Sequence, residues 1–200
     1  MSGLPLVWGA TAAEVTRDYP ADALIDGPAV AMTRAVSVAA PVEVTWRWLC
    51  QLSVAPYSYD LVDNLGRRSP RELTPGAEEL EVGQKIVKVY TLTSLDPPHQ
   101  WTGIAQGWMA ATYAVEPDPT DPDGSRLVCR MVAAAGSPLT RLRAHALAWG
   151  DVVMLRKQLL TLKTLAESAP GRADSRCIEG RVGDRTRRLG PRCHDRRHGF

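Results

Sequence analysis

The feature that most restricts the fold is a change of period near residue 135. Upstream lie four short runs rich in β-formers: VGQKIVKVYTLTSLDPP, HQWTGIAQG, WMAATYAVEPDP and SRLVCRMVAAAG. Pro97–Pro98, Gly107 and the turn cluster PDPTDPDGS punctuate them. In the last run Leu127, Cys129 and Met131 alternate with Arg126 and Arg130, which predicts one buried and one wet face. Trp101 shares a phase with Gly103 and Ala105, and Tyr113 with Met109, Ala111 and Val115. Sequential strands with short connections predict an antiparallel meander. Downstream, Val152, Leu155, Leu159, Leu162 and Ala166 recur three and four residues apart, with Arg156, Lys157 and Lys163 in other phases. That spacing predicts one long amphipathic helix laid on an apolar surface.

The rest of the chain fits around this pair of periods. Residues 1–28 carry Pro5, Pro20, Gly27 and Pro28 and read as an irregular lead-in with one helical turn at TAAEV. From Val30, VAMTRAVSVAA predicts a first strand ending at Pro41. PVEVTWRWLCQL then reads as a helix, with Pro41 in its first turn and Glu43 complementing the dipole. Trp46 and Trp48 fall on opposite sides of it, so it needs cover on two sides, from the sheet and from the next helix. Pro56 ends it, and YSYDLVDNLG predicts a second short helix closed by Gly66. PLTRLRAHALAW is helical too, and Gly150 followed by Asp151 predicts a kink, with Asp151 capping the helix that begins at Val152.

Bulk properties bound the function. A chain of 200 residues has room for one domain with a core. The net charge of +2 hides an uneven spread: residues 170–200 hold nine arginines and four acids, leaving the body about −3. That basic segment has almost no large apolar residues and reads as a disordered tail. Its interspersed acids and its single aromatic, Phe200, argue against nucleic acid as a partner. Among Cys177, Cys193, His194 and His198 the CHDRRH half has tight spacing, but Cys177 lacks the nearby partner that a structural zinc site needs. No basic leader and no spanning apolar stretch are present, and the four scattered cysteines form no disulfide pattern, so a reducing cytoplasm is expected. No phosphate loop, metalloprotease motif or nucleophile signature occurs, so neither cofactor nor metal is expected.

Several side chains are candidates for a ligand site. Tyr57, Tyr59 and Asp60 in PYSYD combine phenol hydroxyls with a carboxylate, although Asp60 is also a good helix cap. Trp48, Trp101, Trp108, Tyr113 and Trp149 supply aromatic wall material, or simply core volume. His145, four residues from both Arg141 and Trp149, is the one helical histidine of the body and, with Asp60, a weak candidate for acid–base work.

These pieces, in order, resemble a known family. WGAT..EV at 8–15, APVEVTWRWL at 40–49, YSYD..DNL at 57–65, LEVGQKI at 80–86, SLDPP at 94–98 and GDVVMLRKQLLTLKTLAE at 150–167 are similar to landmarks of the START-like (SRPBCC) superfamily, particularly its bacterial polyketide cyclase/dehydrase-like members. The resemblance covers roughly residues 8–168 and implies an α+β helix-grip domain at 29–169. Its features would be a curved antiparallel sheet around a long C-terminal helix, and two short helices after the first strand. It further implies a central cavity for a small hydrophobic molecule such as a lipid, polyketide or aromatic metabolite. Only some members are catalysts, so two alternatives stand: a metal-free cyclase or dehydratase, and a closed-cavity protein or RNA interaction module. Oligomeric state is left open, because each apolar stripe has an intramolecular explanation.

Overall fold

A computed structural model describes residues 3–59, 64 and 66–169. Asp60, most of the expected second helix and the 170–200 segment lie outside the described residues. Among the described residues, seven strands form one sheet: β1 (Val7–Trp8), β2 (Ala29–Val38), β3 (Lys85–Ile86), β4 (Tyr90–Asp96), β5 (Gln100–Ala105), β6 (Met109–Asp118) and β7 (Asp121–Ala134). Their spatial order is β1-β2-β7-β6-β5-β4-β3. The expected meander from β3 to β7 is present, and β2 closes it antiparallel to β7. Three helices accompany the sheet: α1 (Ala12–Thr16), α2 (Val42–Cys50) and the long C-terminal α3 (Pro138–Ser168). This is the α+β helix-grip layout.

One face of the sheet holds the main core. Met32, Val36, Leu92, Trp101, Tyr113, Leu127 and Met131 meet Leu155, Leu159, Leu162 and Ala166 of α3 there. The five apolar positions that predict the helix, from Val152 to Ala166, are all buried. α2 buries both tryptophans, and its cover comes from β6, β7 and α3. Gly103 sits on the core face opposite the irregularity between Leu92 and Ser94. A Cβ there would come within 3.0 Å of the Thr91 carbonyl oxygen and the Tyr90 Cβ, so the edge of the sheet closes only over glycine.

Three expectations need correction. First, the other face of the sheet is not wet. The lead-in lies across it, adding β1 parallel to β2, the helix α1 and a 3-10 turn at Pro20–Leu24. Tyr19 packs with Ala35, Ala114 and Val128, and Ala21 and Ile25 pack with Ala110 and Val132. Arg126 makes two 2.8 Å bonds to the carboxylate of Glu14, which also closes a capping box with Thr11. Arg130 donates to Asp22, Thr33 and the Val15 carbonyl. The alternating arginines mark a covered polar layer, not solvent.

Second, the PDPTDPDGS cluster is mostly strand: β6 runs to Asp118 and β7 starts at Asp121. Third, α3 passes through Gly150 without a break and is capped by Ser137, whose side chain accepts from the Thr140 amide, with Pro138 in the first turn. A glycine costs about 1 kcal/mol in a helix interior, and burial of Ala148, Val152 and Leu155 on either side outweighs it. Nothing lies within 4 Å of a Cβ built on Gly150. Gly150→Ala should therefore raise unfolding stability by about 0.5–1 kcal/mol in urea titration. Destabilisation would show that a kink, not a continuous helix, is native.

Candidate functional site

The strand register places a row of side chains across the core face. Trp8 pairs with Arg34, Arg34 with Cys129, Cys129 with Tyr113, Tyr113 with Trp101, and Trp101 with Leu95. Period 2 along β2 puts Arg34 in phase with the buried Met32 and Val36. The guanidinium is fully buried. It donates to the carbonyls of Leu6 (2.7 Å), Thr33 (3.3 Å) and Ala148 (3.4 Å). Its charge partner is Asp151 on α3, 3.4 Å away and only 12% exposed.

Burial outweighs this pairing on both sides. It lowers the Arg34 pKa despite Asp151, and pushes Asp151 from 3.8 up to about 7 despite Arg34. Asp151 is thus not a cap but a carboxyl that changes charge near neutral pH. Tyr90, Tyr113 and Cys129 are driven upward first by burial, and Asp151 adds to each. Burial likewise pushes Cys50 up to about 12. Both described thiols are protonated, which removes thiolate chemistry at these positions.

Some polar atoms in the row are satisfied. The Tyr113 hydroxyl donates to Gln158 Oε1 (2.7 Å), and Gln158 Nε2 donates to the Pro56 carbonyl (2.6 Å). Others have no hydrogen-bond partner: Arg34 Nε, Trp48 Nε1, Trp101 Nε1 and Asp151 Oδ2. Unpaired buried polar atoms cost about 1–3 kcal/mol each and are rare in native proteins.

The candidates picked from sequence divide by location. Trp101 and Tyr113 stack with centroids 4.5 Å apart in the middle of the grip, and Tyr90 leans on Trp101. Trp48 is buried with its ring edge-on to Tyr57, which adopts a left-handed backbone (φ 54°). Tyr59 is 41% exposed and Trp149 58% exposed, so neither reaches the interior. Trp108 lies partly buried under the Arg143 guanidinium at 3.7 Å. His145 lines an open cleft of about 460 Å³ with Pro28, Ser137, Arg141 and Leu142, at the start of α3. Where a central cavity is expected, Trp101, Tyr113 and Tyr90 pack on one another in the middle of the grip. Among the described residues no cluster of His, Cys, Asp or Glu is placed to hold a metal ion.

Arg34, Asp151, Gln158 and Tyr90 are the interior polar residues that sequence reasoning passes over. A signal existed for two of them. Asp151 and Gln158 sit three or four residues from Ala148, Leu155 and Leu162, in the buried phase of α3. Because the folded pKa of Asp151 is raised, the folded state holds its proton more tightly. Stability should therefore fall as pH rises from about 4 to about 7, by up to roughly 4 kcal/mol, and level off above. The carboxylates of Glu14 and Asp118 act oppositely and only below about 4.5. Burial of Glu14 is outweighed by Arg126 and Thr11, and bonds from Ser37 and Thr120 hold Asp118 near 2. Denaturation across pH should show the neutral-side slope vanish in Asp151→Asn; an unchanged slope would refute the assignment.

No family model matches the chain, and no curated protein is significantly similar to it. Similar solved structures include a protein from Nitrosospira multiformis, at 14% identity over 69% of this chain and 97% of that one, with a TM-score of 0.45. A polyketide-cyclase-like protein from Corynebacterium glutamicum gives 13% identity over 72% and 98%, with a TM-score of 0.40. The Zhui aromatase/cyclase from a Streptomyces species gives 17% identity over 70% and 94%, with a TM-score of 0.37. Likenesses this weak carry no inference about chemistry.

Proposed function

We propose that this protein binds a small, mostly apolar molecule with a polar end, between the sheet and α3. The observation that carries the reading is the set of polar atoms without a hydrogen bond in an otherwise apolar, aromatic interior: Trp101 Nε1, Arg34 Nε, and Asp151 Oδ2, which is held only by its 3.4 Å ion pair with Arg34. A binding site needs apolar walls with a few placed polar groups, and this row has that composition. Trp101 offers a donor to an acceptor such as a carbonyl. Asp151 accepts from a hydroxyl, or donates to a carbonyl when protonated. Trp101, Tyr113 and Tyr90 suit a flat ring system, and burial contributes about 25 cal/mol per Å² of apolar area. Since these rings pack on one another, binding requires them to turn aside, which favours a compact ligand and slow association.

A catalytic version has one supporting feature. Asp151 changes protonation near pH 7 in a nearly dry setting, as an acid–base group must. Asp151 rather than His145 would then exchange the proton, because His145 faces the surface cleft.

Native mass spectrometry of the full chain should reveal a non-covalent mass that leaves on denaturation. A fluorescent apolar probe bearing a carbonyl acceptor should bind, and Trp101→Phe, which keeps a smaller aromatic ring and removes the donor, should weaken it about fivefold. A chain that never carries or takes up such a molecule would leave a closed interior and overturn the proposal.

A further inference from the structure

α3 has a second apolar stripe, and it points away from the sheet. Leu139, Leu142, Trp149, Val153 and Leu160 are 75%, 67%, 58%, 53% and 37% exposed. At about 100° per residue they fall within one narrow sector, opposite the buried positions Ala144, Ala148, Leu155, Leu159 and Leu162. Arg143 and Lys157 flank this sector on one side and Arg156 on the other, where Lys163 is paired with Glu167. Only two acids occur on the helix. Asp151 turns inward to Arg34, and Glu167 is engaged by Lys163 and the Ala39 amide. The outer face is thus a contiguous apolar strip between cationic rims, larger than isolated exposed residues would make it.

Its charge narrows what can cover it. A second copy laid antiparallel across Gly150 would set Arg143 of one chain beside Lys157 of the other, and the same rims meet in any symmetric pairing. The 170–200 segment carries a local charge of +5 and would repel the same rims. The occupant must be acidic. A protein partner for an apolar helix face of this kind supplies a groove and paired charges. A bilayer surface needs only an outward helix with Leu, Val and Trp at acyl-chain depth, and with Arg and Lys at headgroup level. Trp149 at the centre of the strip, with basic rims at its edges, has that arrangement. No described helix is long and apolar enough to cross a membrane.

We propose that the outer face of α3 is a docking surface for anionic lipid bilayers, inserting Leu142, Trp149 and Val153 between headgroups. This stands independently of what the interior holds. The test is co-sedimentation of the full chain with vesicles of phosphatidylcholine containing about one-third phosphatidylglycerol, against phosphatidylcholine alone. The full chain should bind the anionic vesicles and not the neutral ones, with a blue shift in tryptophan emission that Trp149→Phe abolishes. Leu142→Glu with Val153→Glu changes only exposed positions, and should keep the circular dichroism spectrum while weakening binding about tenfold or more. Three results would overturn the proposal. In one, the double variant binds as well as the parent, leaving the attraction to 170–200 alone. In another, a concentration-dependent dimer forms that Val153→Glu splits. In the third, the protein binds polyglutamate in solution and vesicles do not compete, which assigns the face to an acidic protein.

Discussion

A charged side chain in the apolar phase of a strand has to be answered by whatever packs on that strand, and Arg34 sets this requirement for the whole domain. Its guanidinium is buried under α3, so the helix must present a compensating group at one height and one azimuth. Asp151 meets that need, and the Ala148 carbonyl one turn earlier takes a second donor. Placing 148 and 151 over β2 fixes the rotation of α3. It sends Leu155, Leu159 and Leu162 into the core and leaves Leu142, Trp149 and Val153 outside. The same guanidinium holds the Leu6 carbonyl, so β1 and the start of the lead-in are tied to the centre of the grip. Exchanging Arg34 and Asp151 together for apolar residues need not weaken the fold, because buried pairs repay little of their desolvation, whereas removing Arg34 alone strands a buried carboxyl. What the pair supplies is one orientation of the helix among several that hydrophobic burial alone would tolerate.

The outer face of the sheet obeys a similar rule with a different outcome. Arg126 and Arg130 sit in the phase opposite Leu127, Cys129 and Met131, and an alternation of this kind normally means solvent. Here the arginines are the fixtures to which the lead-in is attached. Glu14 is committed twice, to the cap of α1 and to Arg126, so folding the five-residue helix and docking it are one event. Short helices are unstable alone, and α1 exists because the sheet supplies the second half of its contacts.

Strand and helix identities are legible in the sequence because they depend on period, which is local. β2, the β4–β7 meander and the buried stripe of α3 all come from spacing. Asp151 misleads for a definite reason: aspartate after glycine satisfies every local requirement of a cap, and only the position of Arg34, far away in sequence, reveals its use. The lead-in is obscure because its prolines and glycines break every period, while its order comes from Arg126, Arg130 and the apolar patch of β7. Trp101 and Tyr113 are recognisable as aromatic interior, but their mutual stacking, which closes the middle, depends on strand register rather than residue type. The neighbourhood of Trp149 and His145 suggests an inward placement, and the rotation imposed by Arg34 turns both toward the surface.

That rotation also explains why α3 reads ambiguously. Apolar residues occupy two opposed sectors over most of its length, so the net asymmetry nearly cancels and neither sector stands out. Burial separates them. The inner stripe is mostly leucine and alanine, sized for a packed sheet, with Asp151 and Gln158 as its polar members. The outer stripe is larger in side chain, carries the helix's exposed tryptophan, and is framed mainly by cations, with Glu167 paired to Lys163 at its C-terminal end. A helix packed on one side has no internal reason to keep Leu139, Leu142, Trp149 and Val153 in water, since surface leucine adds nothing to stability and invites aggregation. The positive rims of Arg143, Arg156 and Lys157 answer the aggregation problem by repelling the rims of other copies, while leaving the strip open to an acidic plane. Resistance to self-association and selectivity for an anionic surface therefore come from the same residues, Arg143, Arg156 and Lys157.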